Sequence, residues 1–511
     1  MKQKIDHFST EHLIGNLRER TIQGTKQAFS AQFFQFLLQI ASITILARLL
    51  QPEDFGLIAM VTILSALFSS VTEGGLSTAT VQWPELTQNQ VSNLFWTNCI
   101  IGLSLTATFI VATPILVWFF DEPRLEAIAL ALSVSFSIQA VGIQSKALLR
   151  RRMRFGIIAL INITSTAIGT FTAISLALSG FGYWALVAMP IVTTSCQSVL
   201  AAALCSWMPS LPRRHTGVRP MLWFGANITM ANFIGSLQTS LTPFLLGRMG
   251  GADVLGFFNR ANTITSIPNT QVFPPVMAVA HPALSRVWGD DQRFRSASLQ
   301  LLQRVSLVAM FITVLTLLFA DWIVFLFLGS GWSDSVIFVK LLSIGVLVQP
   351  VVNTIAASLL AAGKANTLLT VKVCQLCLTA TAVMIGQFWG AVGIVAAFAL
   401  SGVFMRLPVF IWLATRVLPF ALSDFSRAFL PVLSMGAILA VGLLFFRSII
   451  GDVNVLLGLL LGLFTSVPLY ILSGLMFGSI RAEISDMAKS ILCGRKPPQN
   501  ARGKDDVEDK E

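Results

Sequence analysis

Two kinds of side chain here could bind a charged, hydroxyl-rich molecule in an apolar setting: arginines embedded in hydrophobic runs, and amides and hydroxyls clustered beside them. The stretch from Gly247 to Arg286 holds the densest set. It carries Asn259, Arg260, Asn262, Thr263, Thr265, Ser266, Asn269 and Gln271, with prolines at 268, 274, 275 and 282. A guanidinium can donate two parallel hydrogen bonds to phosphate oxygens, and amides and hydroxyls suit sugar hydroxyls. No lipid-facing helix is built this way, because polar groups and freed backbone at membrane depth must face protein or a water-filled cavity. The stretch is therefore the first candidate for a substrate path.

Other embedded charges are fewer. Arg406 precedes Pro408, so it reads either as a cavity cation or as a donor to backbone carbonyls that the proline frees. Arg48 and Arg248 stand at the ends of apolar runs, where anchoring at the interface competes with gating. Lys340 and Lys372, near span ends, read as snorkelling side chains. Glu73 is the one carboxylate well inside an apolar run, which suits it to carrying a coupling proton or to latching two parts together. Metal and redox chemistry find no pattern. Cys374 and Cys377 form a lone CxxC with no second pair, and His7, His12, His215 and His281 are scattered.

The elements that position these residues follow from composition. Of the 511 residues 55% are hydrophobic and only 12% charged, whereas soluble domains carry about 25% charged residues. Apolar runs last the roughly 20 residues that a spanning helix needs, without the short alternation of a membrane β-barrel. The expected fold is an all-α multi-spanning membrane protein of about fourteen transmembrane helices, the first at 25–49 and the last at 453–478. The first run is too long for a signal peptide. Most basic side chains fall on one side of this layout, among them Lys146 and Arg150 to Arg154, Arg213 and Arg214, Arg286 to Arg304, Lys364, Arg416 and the tail, and only Arg48, Arg124, Arg248, Arg260, Lys340 and Arg447 fall on the other. The positive-inside rule makes the first side, and both termini, cytoplasmic. It also accounts for the net charge of +11 without a nucleic-acid partner. No loop is large enough for a soluble catalytic domain, so an enzyme is not expected.

An internal repeat organises the spans. LARLLQPEDFG around Arg48 and LGRMGGADVLG around Arg248 share Leu, Arg and Gly in register at a spacing of 200 residues. The same spacing sets Gly74 and Gly75 opposite Pro274 and Pro275, which predicts matched hinge-like interruptions in two helices. Further on, SGFGYWALV at Ser179 and WGAVGIVAAF at Trp389 continue the parallel at a spacing of 210. The expected organisation is a cytoplasmic segment 1–24, an N-terminal lobe of six spans (25–207), a linker (208–219), a C-terminal lobe of six spans (220–415), two extra spans (427–478) and a disordered cytoplasmic tail (479–511). An even number of spans per copy gives parallel lobes, with a transport site between them at the matched interruptions.

The runs ILARLLQPEDFGLIAM, EGGLSTATVQ and GRMGGADVLGFFNRA through HPALSR, with RTIQGTKQAF before the first span, resemble the polysaccharide transporter (Wzx-type) family of the MOP flippase superfamily. The resemblance runs through the first twelve spans. It implies two six-helix lobes that rock about a polar cavity and carry an undecaprenyl-diphosphate-linked oligosaccharide from the cytoplasmic to the periplasmic leaflet, for exopolysaccharide, capsule or O-antigen synthesis. It implies a bacterial inner membrane, contact with membrane lipid, polymerase and chain-length or export proteins as partners, and no cofactor beyond coupling to a proton, another cation or the membrane potential. Phe257 and Phe258 stand where the family often has Tyr, and Glu73 where it often has Asp. Under this reading Arg260, Arg406, Asn259, Asn262, Arg48 and Arg248 form the binding set.

Rival readings fit less well. A MATE-like cation-coupled drug antiporter is expected to place an acid in its first span, and 25–49 has none. A peptidoglycan-precursor flippase is expected to carry more basic side chains in its first two spans. A membrane glycosyltransferase or polymerase needs a sizeable outer loop. If the flippase reading holds, Arg260→Ala and Glu73→Gln each slow flipping of the lipid-linked unit in a reconstituted assay; full rates in both variants would sink the assignment.

Overall fold

A backbone without water to bond must satisfy its own amides and carbonyls, and among the described residues the chain is all helix, with no strand. The computed structural model describes residues 17–73, 75–214, 216–450, 454–477 and 481, with backbone alone at 17–30, 73, 231, 278, 279, 365, 366 and 369. Gly74, the Glu73 side chain, the start of the N-terminal segment and the tail beyond 481 lie outside the described residues.

Helices occupy all fourteen expected positions. The first six passes are α1 (Leu17–Leu49), α2 (Pro52–Glu73) with its continuation α3 (Gly75–Gln82), α4 (Gln88–Phe120), α5 (Leu125–Arg151), α6 (Phe155–Leu178) and α7 (Trp184–Cys205). The seventh and eighth are folded from α8 (Arg219–Ile267), which breaks at Gly251 with φ 71° and ψ −169°. A π turn, Pro268–Val272, then leads into α9 (Phe273–Val287). The C-terminal lobe is completed by α10 (Asp291–Leu318) with the short α11 (Ala320–Phe327), α12 (Ser335–Ala361), α13 (Ala365–Gly386), and α14 (Gly390–Ser401) joined by a second π turn to α15 (Leu407–Thr415). The last two passes are α16 (Leu422–Ile450) and α17 (Val455–Leu475). Among the described residues eleven stretches are long and apolar enough to cross a membrane by length and composition. One of them, Thr370–Thr415, holds two passes, and the pair built from α8 is not among them. That pair carries Asn227, Asn232 and Gln238 in one half and Asn259, Arg260 and Asn262 in the other.

The repeat recurs in backbone geometry. Left-handed residues occur at Met153 (φ 55°) and Gly363 (φ 69°), and at Gly180 (φ 82°) and Gly390 (φ 71°), both pairs separated by 210 residues. One end of the bundle gathers the basic loops. There Arg151, buried, donates to the carbonyls of Thr80, Trp83 and Pro84 at the end of α3, where the helix dipole favours a cation. Asn93 donates to the carbonyl of Arg213 at the same end. We refer to this as the basic end and to the opposite one as the far end.

At the far end the lobes meet backbone to backbone. A methyl group on Gly56 would overlap the carbonyl of Ala252, and one on Gly256 would overlap the carbonyl of Pro52. Pro52 and Ala252, like Gly56 and Gly256, are repeat equivalents 200 residues apart, so the crossing of α2 with the second half of α8 is pseudo-two-fold. Aromatic residues close the rim around it. Trp332, 1% exposed, donates its indole N–H to the Ala47 carbonyl at 2.8 Å and packs edge-on against Phe55 at 5.3 Å and Phe257 at 5.9 Å. On the other side Phe119 stacks on Phe244 at 4.2 Å. Arg48 donates to the Leu326 carbonyl at 3.0 Å, in the last turn of α11, where a cation again complements the helix dipole.

The two extra passes ride on the C-terminal lobe. Arg295 of α10 forms a bidentate pair with Asp424 of α16, at 2.8 and 2.5 Å. At the other end of α16 Arg447 pairs with Asp321 at the start of α11 and also donates to the carbonyl of Leu318, the last residue of α10. Between these pairs Met310 and Val314 pack with Val432, Leu439 and Leu443. The polarity of the pairs is reversed from one end to the other, which fixes the vertical register of α16 against α10.

Overpacking a close contact costs about 1–3 kcal/mol. Gly56→Ala and Gly256→Ala should therefore each loosen the far end, read as faster labelling of a Ser42→Cys probe by a membrane-impermeant maleimide in a cysteine-free background. Unchanged labelling in both variants would refute a seam that depends on these glycines.

Candidate functional site

Beneath the seam lies a cavity of about 620 Å³, within the range of roughly 300–1,000 Å³ usual for small-molecule sites. Its far-end cap is apolar, with Ile43, Leu46, Phe55 and Ile58. Its walls are polar. α1 contributes Gln35, Gln39 and Ser42, α2 contributes Thr62, and α6 and α7 contribute Asn162, Thr166 and Gln197. The eighth pass contributes Asn259, Arg260 and Thr263, and the π turn contributes Gln271. Four helices of the N-terminal lobe therefore face one helix of the C-terminal lobe. Gln32 bonds Gln271 at 2.8 Å and Gln271 bonds Gln39 at 3.4 Å, so α1 touches the π turn directly.

Arg260 is the cation of this cavity. Its guanidinium donates to Asn259 Oδ1 at 2.7 Å and lies 4.5 Å above the Phe55 ring. Its Nε is buried without a hydrogen-bond partner, and no carboxylate pairs with it among the described residues. Phe55 supports the charge through its π face, but an unpaired charge away from bulk water is costly unless an anion or water completes it. The arrangement is suited to an anionic guest, with amides and hydroxyls on the opposite wall for a neutral polyol.

The other expected site residues are distributed differently. Asn259 lines the cavity with Arg260, whereas Asn262 is exposed and outside its lining. Arg406 bends back on its own pass: it donates to the Phe398 carbonyl at 2.7 Å and lies 4.5 Å over the Phe398 ring. Its guanidinium thus lies on α14 and outside the lining of the cavity, and its Nε, like that of Arg260, is buried without a hydrogen-bond partner. Arg48 is spent on the far-end carbonyl of Leu326. Arg248 is exposed and makes no hydrogen bond or ion pair among the described residues; neither lines the cavity.

The hinge expectation also changes. Gly74 and the Glu73 side chain lie outside the described residues. Gly75 sits in a close helix crossing, where a methyl group would overlap the Gly225 carbonyl and the Thr229 hydroxyl. In the eighth pass the interruption is the π turn, and Pro274 falls in the first turn of α9. Prolines are tolerated there, and the widened turn absorbs the carbonyls they leave without a donor.

Several site residues escaped the sequence reading. Gln35 and Gln39 lie four apart on α1, and Asn162 and Thr166 four apart on α6, spacings that place each pair on one helix face. That regularity was the available signal. Trp332 gave none, since a tryptophan near a span end also fits a membrane interface. At the far-end rim Arg124 bonds Glu53 at 2.5 Å and Glu122 at 2.8 Å, and its guanidinium holds the Glu122 carboxyl below its usual range.

Comparison with known proteins places this architecture. The profile of a family described as polysaccharide biosynthesis proteins matches residues 45–337. The chain is 26% identical over 392 residues to the lipopolysaccharide biosynthesis protein WzxC of Escherichia coli (strain K12), covering 75% of this chain and 79% of that one. It is 28% identical over 274 residues to the succinoglycan biosynthesis transport protein ExoT of Rhizobium meliloti (strain 1021), covering 53% and 55% respectively. Among solved structures it matches the lipid II flippase MurJ in an inward closed conformation, with a TM-score of 0.71, 15% identity, and coverage of 89% of this chain and 98% of that one. The last likeness is one of fold.

A charge-assisted hydrogen bond is worth about 1.5–3 kcal/mol, which is about tenfold or more in affinity. Arg260→Gln should lower binding of a polyprenyl diphosphate by at least that factor, and Arg260→Lys should recover only part of it, because lysine keeps the charge without the planar fork. Equal affinity in wild type and Arg260→Gln, measured by titration in nanodiscs, would remove Arg260 from the site.

Proposed function

Because this chain belongs to the polysaccharide biosynthesis protein family, a family of membrane transporters and not of enzymes, we propose that it flips an oligosaccharide repeat unit, linked to undecaprenyl diphosphate, between the leaflets of a bacterial inner membrane. The unit travels from the cytoplasmic to the periplasmic side and feeds exopolysaccharide, capsule or O-antigen assembly. The observation that carries this reading is Arg260. It is a guanidinium without a carboxylate partner among the described residues, set in a cavity walled by amides and hydroxyls and capped by apolar residues.

The chemistry follows from that arrangement. A diphosphate and its sugars cannot cross about 30 Å of hydrocarbon unaided. Arg260 takes the diphosphate, and Gln35, Gln39, Asn162 and Gln197 bond sugar hydroxyls while the polyprenyl tail stays in lipid. In this reading the basic end is cytoplasmic, the lobes 25–207 and 220–415 are the rocking bodies, and the Gly56–Gly256 seam is the closed periplasmic gate. Opening the seam and closing the basic end exchanges the access of the cavity. Direction comes from a coupling ion or the membrane potential, with Glu73 as the carboxylate for the first case.

Proteoliposomes carrying a fluorescent undecaprenyl-diphosphate oligosaccharide test this directly. The wild-type chain should move the labelled unit across the bilayer, and the same sugar on a neutral polyprenol should move at least about tenfold more slowly, the factor expected from losing a charge-assisted contact. Equal rates for the two carriers would falsify a diphosphate-reading site.

A further inference from the structure

A second cavity, of about 550 Å³, lies between the lobes. It is bounded by Ser69 and Ser70 of α2, by Asn232, Gly235 and Thr239 in the first half of α8, and by Lys372 of α13. Part of its wall is built from positions equivalent to walls of the Arg260 cavity. A spacing of 200 carries Gln35 and Gln39 onto Gly235 and Thr239, and the later spacing of 210 carries Asn162 onto Lys372. Gln35, Gln39 and Asn162 are walls of the first cavity, so the second occupies a related place against the other lobe.

The cations are not copies of each other. Arg260 has Met60 as its repeat equivalent, and Lys372 has Asn162. Each chamber therefore holds one cation, at a different depth. Lys372 stands about two turns into α13 from the basic end, and Arg260 about two and a half turns below Gly251 at the far end, counting 3.6 residues per turn. Neither Lys372 nor the Asn232 side chain has a hydrogen bond or ion pair among the described residues, so both leave their donors to the chamber. A lysine ammonium is a compact point charge that accepts a phosphate in many orientations, whereas the arginine fork holds one geometry.

We propose that the Lys372 chamber is an entry site for the diphosphate of the lipid-linked unit, occupied at the basic end before the headgroup reaches Arg260. The proposal rests on the transport reading above. Two weak sites in series favour passage, because each must bind well enough to load and loosely enough to release. Ser69, Ser70, Asn232 and Thr239 supply the hydrogen bonds that orient the first sugar beside the diphosphate.

The test is titration of the full chain in nanodiscs with farnesyl diphosphate, farnesol and inorganic pyrophosphate, read by native mass spectrometry. Wild type should bind two equivalents of farnesyl diphosphate and no farnesol. Lys372→Gln and Arg260→Gln should each bind one, and the double variant none. Lys372→Arg should restore the second equivalent, which separates loss of the charge from a folding defect. Two equivalents retained by Lys372→Gln, while Arg260→Gln loses one, would overturn the entry site alone. Pyrophosphate filling the Lys372 site as tightly as farnesyl diphosphate would overturn its assignment to a lipid-linked group. A wild-type chain that binds no farnesyl diphosphate overturns the transport reading and the entry site with it.

Discussion

The architecture depends on one contact, the crossing of α2 with the second half of α8, where Gly56 lies on the Ala252 carbonyl and Gly256 on the Pro52 carbonyl. Side chains at either position would hold the lobes apart. With only hydrogen there, the backbones approach closely enough for Trp332 to reach Ala47 and Phe55 and for Phe119 to stack on Phe244. Helix association in a bilayer has no hydrophobic drive of its own and relies on such close packing. The seal at one end is what turns the space below it into a chamber rather than a channel.

Within that chamber the electrostatics are left incomplete. Arg260 rests on the Phe55 ring and on Asn259, and its Nε is buried without a partner. Arg151 is spent on carbonyls at the end of α3 and Arg447 on Asp321 and the Leu318 carbonyl, whereas Arg406, bonded to the Phe398 carbonyl, also keeps a buried Nε without a hydrogen-bond partner. Two clamps of reversed polarity, Arg295–Asp424 and Arg447–Asp321, hold α16 to α10 and α11, and Tyr470 of α17 donates to the Leu307 carbonyl of α10, so the extra passes pack on the C-terminal lobe.

Fold class and span count were legible in the sequence, because apolar runs of membrane length admit no other regular structure. The repeat was legible too, although its shared glycine reads as a register mark until α2 and α8 are seen to cross there. Arg260 and Asn259 could be located because prolines and polar residues crowd one pass. Arg406 could not be placed, since a guanidinium before a proline has a carbonyl of its own helix within reach and only the rotamer decides. Gln35, Gln39 and Asn162 stayed hidden for a different reason: single amides in long helices are also tolerated as packing residues, and their convergence depends on how α1 and α6 are set around α2. Gly75 and Pro274, expected as hinges, sit in surroundings that local sequence did not announce. Glycine there serves a crossing, and the π turn before the prolines takes up the distortion.

The two crossing glycines are the same residue used twice, and each faces the carbonyl that its counterpart's helix presents. A contact of that kind is isologous: one surface, complementary to itself under a half-turn. A polypeptide of half this length, with one such glycine four residues into its second helix, would meet the geometric condition for a two-fold dimer without any second mutation. Fusion of the two halves then frees each copy from the symmetry that created the interface. The distribution of cations, Arg260 against Met60 and Lys372 against Asn162, is a departure that a strictly symmetric dimer of identical halves could not carry.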